Sequence, residues 1–134
     1  MHVTDPPAAC PNADTGTTRA VAIARIALGA SFVLFPGGAL RAWPGGGLAK
    51  GPVVTMLART VGVRDIALGL GTLMAVQHDA PVRGWLEAAM LADAGDAAVI
   101  LLGFRHLPRM RAVAMLGASV GAAVAGRRLV SALP

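Results

Sequence analysis

The order of apolar and polar positions divides the chain into four long hydrophobic stretches. They run over Ala20–Phe35, Val53–Val76, Trp85–Phe104 and Ala112–Gly126. Because the hydrocarbon core of a bilayer is about 30 Å thick, a helix needs roughly 20 residues to cross it. The second and third stretches reach this length directly, and the first and last reach it with their flanking residues. The pattern therefore predicts four transmembrane helices.

The faces of these stretches favour a membrane bundle over a soluble one. A helix on the surface of a soluble bundle carries polar side chains along one face, with a period of 3.6 residues. Ile66–Val76 and Ala97–Phe104 contain almost no polar residue. The whole chain of 134 residues is 55% hydrophobic and has a mean hydropathy of +0.64, above the usual range of soluble domains. We expect an all-α integral protein of the plasma (inner) membrane, with the lipid bilayer as its surroundings.

Residues that break helices indicate how the stretches are joined. Pro36–Gly38 ends the first, and a glycine-rich loop from Pro44 to Pro52 precedes the second. Short turns at His78–Pro81 and Arg105–Arg109 separate the remaining ones. Short connections place consecutive helices antiparallel, so the sequence predicts an up-down-up-down four-helix bundle over residues 19–134.

The first eighteen residues differ from the rest in composition. Residues 1–18 are rich in Pro, Asp and Thr, and we expect a disordered polar tail. The tail lacks the basic start and adjoining apolar stretch of a cleaved signal peptide. It also contains Cys10, the one cysteine of the chain, so no disulfide can form within the chain.

Ionisable residues lie near the middle of the second and third hydrophobic stretches. Arg64 and Asp65 lie in the second stretch, and Asp93 and Asp96 lie in the third. Antiparallel helices that cross the same slab bring these positions to one depth, and a spacing of three places Asp93 and Asp96 on one helix face. Charged groups inside a bilayer are costly, so they indicate a functional site by default.

Further ionisable residues extend this cluster. Arg25 lies within about a turn of the middle of the first stretch. Arg59 precedes Arg64 by five residues. Glu87 lies near the start of the third stretch, where Arg83, four residues earlier, is placed to pair with it. The candidate catalytic residues are thus Arg25, Arg59, Arg64, Asp65, Glu87, Asp93 and Asp96. They comprise three positive and four negative groups, so one carboxyl group is expected to hold a proton. A purely structural role for the ion pairs, as interhelical contacts that fix the register, stays open.

Cofactors, metals and nucleic acids are not indicated. The three histidines lie in the tail and the turns, and no Cys/His cluster has zinc spacing. Asp65, Asp93 and Asp96 alone would have to hold a divalent ion, in competition with Arg25 and Arg64. The net charge of +5 comes from cations scattered over helix ends, which is not the basic stripe of a nucleic-acid interface.

Small residues indicate close packing and free space. Gly117 and Gly121 form a GxxxG step, which either packs the fourth helix within the bundle or joins two copies as a homodimer. Ala92, Gly95 and Ala97 surround the acidic residues of the third stretch. They leave room for a cavity that admits a lipophilic small molecule.

Three short motifs stand out in the hydrophobic stretches. An Arg-x-x-Gly-x-Arg-Asp signature lies within Ala58–Gly69, Asp93–Asp96 reads Asp-Ala-Gly-Asp, and Leu34–Gly37 ends the first stretch with Leu-Phe-Pro-Gly. Together they resemble a family of small four-helix integral membrane proteins that is catalogued as a domain of unknown function. The resemblance covers roughly residues 19–130. It implies a four-span architecture and transfers no catalytic residue.

Three classes of function are compatible with these residues. The preferred hypothesis is a membrane-embedded acid/base enzyme, an isomerase or cyclase that protonates an epoxide or alkene of a lipophilic substrate. In it Asp93 or Asp96 is the general acid, Asp65 or the second carboxylate is the base or cation stabiliser, and the three arginines hold charge and oxyanions. The alternatives are a proton-coupled carrier and a structural or assembly subunit of a membrane complex.

Overall fold

The computed structural model describes residues 13–43 and 51–133, and this part of the chain is helical, without a strand. Its α-helices are α1 (Ala13–Leu34), α2 (Pro36–Ala42), α3 (Pro52–Gln77), α4 (Arg83–Gly103) and α5 (Arg109–Ser131). A single 3₁₀ turn, Phe104–His106, follows α4. The prediction of an all-α protein is confirmed.

The first helix begins earlier than the hydrophobic pattern predicted. Residues 13–18, assigned to a disordered tail, form the first turns of α1. Thr18 is only 3% exposed, so these turns pack against the rest of the chain. Packing thereby overrides a polar composition that by itself favours no helix. The rest of the predicted tail, with Cys10, lies outside the described residues.

A short helix replaces part of the predicted first loop. Pro36 was expected only to end the first helix, but it also occupies the first turn of α2, where its missing N–H and fixed φ are favourable. Arg41 Nε donates a hydrogen bond of 3.1 Å to the carbonyl of Gly37 and supports this short helix. The glycine-rich part of the loop, residues 44–50, lies outside the described residues.

The long helices pack as two pairs, α1 with α3 and α4 with α5. Glycines allow the backbones of α1 and α3 to approach: a Cβ atom added at Gly29 would lie 2.5 Å from the carbonyl oxygen of Gly62. Farther along the pair, Gly69 of α3 lies against Ile26. Since rising numbers on α3 meet falling numbers on α1, the two helices are antiparallel.

The contact between the two pairs is much sparser than the contact within them. The indole ring of Trp85 on α4 lies directly on Gly71 of α3. Nearer the other end of the same helices, Arg64 of α3 contacts Asp96 of α4. These two contacts define α3 and α4 as antiparallel and leave space between the pairs.

Two helices are long and apolar enough to cross a membrane by length and composition, Thr15–Leu34 within α1 and Arg109–Ser131, which is α5. Helices α3 and α4 have 26 and 21 residues. Both carry large apolar side chains on the surface, among them Val63 and Leu91, which are 58% and 67% exposed.

Candidate functional site

Arg25 of α1 contacts carboxylates from two other helices. Its Nη1 donates a hydrogen bond of 3.0 Å to Oδ1 of Asp65 on α3. Its Nη2 donates to Oδ2 of Asp93 on α4. One guanidinium group therefore joins three helices, and it joins the α1–α3 pair to the α4–α5 pair.

Arg64 makes the second set of contacts. Its Nη1 and Nη2 donate to the two carboxylate oxygens of Asp96 at 2.9 and 2.8 Å, the bidentate geometry in which a guanidinium binds a carboxylate most strongly. Nη2 also lies 3.3 Å from Oδ1 of Asp65. Asp65 thus accepts from both arginines and connects the two sets of ion pairs.

We call this continuous series of contacts the Arg/Asp network: Asp93, Arg25, Asp65, Arg64 and Asp96. It contains two guanidinium and three carboxyl groups, so it carries one negative charge when every group is ionised and none when it holds one proton.

Burial varies along the Arg/Asp network. The side chains of Asp65 and Asp93 are 8% and 9% exposed, whereas those of Arg64 and Asp96 are 31% and 39% exposed. The network therefore runs from the interior at Asp93 to a more open position at Asp96. Both ends belong to α4, where the three-residue spacing places the two carboxylates on one face, as predicted.

A cavity of about 570 Å³ lies beside the Arg/Asp network, and all five network residues are in its wall. The other wall residues are almost all apolar and come from every helix; they include Phe32, Leu40, Trp43, Leu57, Val99 and Ala118. This volume is typical of small-molecule sites, which are mostly apolar with a few polar groups that fix the ligand. A cavity beside the acids was predicted and is present, but Ala92, Gly95 and Ala97, the small residues from which it was predicted, are not in its wall.

Two features of the wall define the ends and sides of the cavity. Phe32 and Trp43 pack edge to face, with ring centroids 5.8 Å apart, at the end that lies away from the Arg/Asp network. Leu57 of α3 and Val99 of α4 line the cavity and are 61% and 68% exposed. The cavity is therefore open at its side, between the two helical pairs.

Two of the seven predicted site residues lie outside the Arg/Asp network. Arg59 donates from Nε to the carbonyl of Val33 at 3.3 Å, and Glu87 lies 3.9 Å from Arg83 on the exposed surface of α4. Each is six residues from the network aspartate of its own helix, Asp65 or Asp93. At 3.6 residues per turn, six residues rotate a side chain about 120° away from that aspartate. Their inclusion in one cluster was wrong.

The sequence reasoning missed the far wall of the cavity. Phe32 and Trp43 were not predicted as site residues. Their only signal is that they flank the proline- and glycine-rich segment at which α1 ends.

Among the described residues, no three His, Cys, Asp or Glu side chains are arranged to hold a metal ion.

The predicted GxxxG step does not pack within the described part of the chain. A Cβ atom added at Gly117 or Gly121 would meet nothing within 4 Å. The glycine of α5 that lies close to α4 is Gly126, where an added Cβ atom would lie 3.4 Å from Met90 Cβ. The prediction that Gly117 and Gly121 pack the fourth helix within the bundle is therefore wrong, and a homodimer through these glycines stays a prediction.

Comparison with protein-family models, curated proteins and solved structures gives no match to this chain. The resemblance to a family of small four-helix membrane proteins stays a prediction, and the functional argument depends on the geometry of the network and the cavity.

Proposed function

We propose that α1, α3, α4 and α5 all cross a lipid bilayer as an up-down-up-down bundle. Two of these helices have the length and composition of membrane spans, and the other two are as long and antiparallel to their neighbours. The charged groups of α3 and α4 that would be costly in lipid are largely paired in the Arg/Asp network. The exposed apolar side chains then face hydrocarbon.

We further propose that this bundle is an enzyme that performs acid/base chemistry on a lipophilic small molecule. The observation that carries the proposal is that all five network residues line one wall of an otherwise apolar cavity of about 570 Å³. A network that served only to hold helices together would not need a cavity beside it. The opening beside Leu57 and Val99 gives a ligand dissolved in the bilayer a way in.

The proposed reaction is an isomerisation or cyclisation that consumes no cofactor. A protonated Asp93 or Asp96 donates its proton to an epoxide oxygen, and a ring C–O bond breaks, or to an alkene carbon, and the C=C π bond breaks. In each case the bonding electrons go to the atom that takes the proton or breaks away as the alcohol oxygen, and a neighbouring carbon is left as a carbocation. A second carboxylate, of which Asp65 is the central one, stabilises this cation and then removes a proton from an adjacent carbon. The guanidinium groups of Arg25 and Arg64 stabilise the carboxylates throughout. One proton enters and one leaves, so the reaction balances.

The experiment begins with lipophilic molecules that co-purify with the protein in mild detergent. Mass spectrometry of extracts compares the wild type with Ala118→Trp, which fills the cavity, and with Ala114→Trp, an exposed position on α5 outside the cavity wall. A molecule retained by the wild type and Ala114→Trp, but lost from Ala118→Trp, is the candidate substrate.

The candidate substrate is then incubated with the wild type and with Asp93→Asn and Asp96→Asn, and products are separated by chromatography. We expect each substitution to slow conversion at least about 100-fold, the usual contribution of a general acid, and Glu87→Gln to leave it unchanged. Wild-type rates in both Asn variants would contradict the acid/base role. Binding without conversion, together with proton flux in liposomes, would replace the enzyme by a carrier.

A further inference from the structure

We infer that the ligand of the cavity is a lipophilic organic cation, such as a hydrophobic amine. The inference rests on the proposed function only in that the cavity takes a lipophilic small molecule. It adds the sign of the ligand's charge, which follows from the composition and the bonding of the Arg/Asp network.

The guanidinium groups of the network are already paired with carboxylates. Both terminal nitrogens of Arg25 and both terminal nitrogens of Arg64 contact carboxylate oxygens. Nε of Arg64 is buried from solvent, so a ligand in the cavity cannot reach it. An anionic ligand would therefore compete with the carboxylates for these guanidinium groups and would add to the negative charge of the network.

The acceptors of the network, by contrast, are only partly used. Asp65 receives its hydrogen bonds at Oδ1, and Asp93 receives its hydrogen bond at Oδ2. Within the described part of the chain, no hydrogen bond reaches Asp65 Oδ2 or Asp93 Oδ1. Both residues line the cavity, so their second oxygens are available to the positive charge that the ligand brings.

The charges lead to the same conclusion. Three carboxylates against two guanidinium groups leave one negative charge in a largely apolar enclosure, where an unbalanced charge is costly. Either a proton on one carboxyl group, as the proposed reaction requires, or a bound cation removes that cost, so a lipophilic cation binds in exchange for the proton. The aromatic rings of Phe32 and Trp43 at the other end of the cavity suit the apolar substituents of such a ligand.

Two probe ions of the same shape and opposite charge test the inference. Tetraphenylphosphonium and tetraphenylborate are titrated by isothermal calorimetry into the full-length protein in nanodiscs of zwitterionic lipid, with empty nanodiscs subtracted. We expect the cation to bind at least about tenfold more tightly than the anion. Asp93→Asn and Asp65→Asn should each abolish this preference, because each removes the excess negative charge. Glu87→Gln, an acid on the same helix but outside the cavity, should keep it.

The possible results separate the charge inference from the proposed function. Equal affinity for both ions, lost in Ala118→Trp, would overturn the charge inference but keep a cavity that binds lipophilic molecules. It would mean that a cation does not take the place of the proton in the network. Cation binding that Ala118→Trp leaves intact would overturn both. Misfolding of a variant is excluded when it elutes at the wild-type volume in gel filtration and its circular dichroism spectrum is unchanged. Two Asp→Asn variants are used so that, if one fails to fold, the other still tests the inference.

Discussion

Arg25 is the residue that ties the two helical pairs together. It extends from α1 to Asp65 on its own partner helix and to Asp93 on α4, across a gap that has few other contacts. Because Asp65 and Asp93 are buried, their pairing with this guanidinium adds a strong contact to the one that Arg64 and Asp96 make between the two pairs. An arginine suits this position since its planar fork can serve two carboxylates at once, which a lysine ammonium does less well.

We expect Arg25→Met to be strongly destabilising. The substitution keeps an apolar stem of similar length but leaves Asp65 and Asp93 buried without their shared cation. Removal of one partner from a buried ion pair typically costs about 3–5 kcal/mol. The change in free energy of unfolding is measured by titration with sodium dodecyl sulfate in mixed micelles, followed by circular dichroism.

The matched control is Arg83→Met. It breaks an ion pair with Glu87 in which the two atoms are 3.9 Å apart and both side chains are about half exposed. Exposed pairs contribute about 0–1 kcal/mol, so little change is expected. Equal effects of the two substitutions would show that the Arg/Asp network does not hold the pairs together.

The position of a residue along its predicted span was enough to predict which residues form the Arg/Asp network. It was not enough to predict which charged residues lie outside the network. Matching the centres of antiparallel spans placed Arg25, Asp65 and Asp93 in one plane, and the structure brings them together. Depth alone does not specify the direction in which a side chain points around its helix. Arg59 and Glu87 are therefore wrong members, and counting residues around the helix would have excluded them.

At the scale of elements, glycines let the backbones of α1 and α3 approach each other closely. Gly29 and Gly62 face each other, and a Cβ atom on either would lie 2.5–2.6 Å from the other's carbonyl oxygen. The obstacle is backbone, which cannot move aside as the tip of a side chain can. The pair therefore depends on the absence of side chains at these two positions.

We expect Gly62→Ala to destabilise the protein by about 1–3 kcal/mol, the usual cost of overpacking. The reason is that α1 and α3 must separate to admit one methyl group, which weakens their contact along its length. Thermal denaturation in detergent, followed by circular dichroism at 222 nm, measures the shift in Tm against the wild type.

Gly117→Ala is the control for Gly62→Ala, because it adds the same methyl group to α5 at a position with open space around it. Alanine is the better helix former by about 1 kcal/mol, so its Tm should equal or exceed that of the wild type. A comparable loss at both positions would mean that the effect comes from helical glycine in general and not from the α1–α3 contact.

The elements themselves were predicted unevenly. The apolar stretches located α3, α4 and α5 to within a few residues because burial and length decide those helices. The start of α1 was wrong by seven residues, from Ala20 to Ala13, since hydropathy does not register a polar helical turn that packs through Thr18. Helix α2 was missed because a Pro-Gly-Gly sequence indicates a helix end more strongly than the start of a new helix.

For the whole molecule, the number of spans determines which connections lie on the same side of the membrane. With four spans, the residues before α1 and the turn between α3 and α4 share one side, and the turn between α4 and α5 lies on the other. With only α1 and α5 as spans, both of these turns lie on one side, opposite the residues before α1. The two arrangements therefore differ in whether the α3–α4 turn and the α4–α5 turn lie on opposite sides of the membrane or on the same side.

The native Cys10, the only cysteine, makes this comparison direct. Ala80→Cys and His106→Cys are each made in a Cys10→Ser background. We expect a membrane-impermeant maleimide to label Cys10 and Ala80→Cys from the same side of the membrane. It should label His106→Cys only from the opposite side. Ala80 and His106 are exposed positions in the two turns. Labelling is measured in intact spheroplasts and in inverted vesicles, with detergent-lysed samples as the reference for complete reaction. Because the Arg/Asp network needs α3 and α4 at the same depth as α1, labelling of Ala80→Cys and His106→Cys from one side would remove the membrane-embedded cavity from the proposed function.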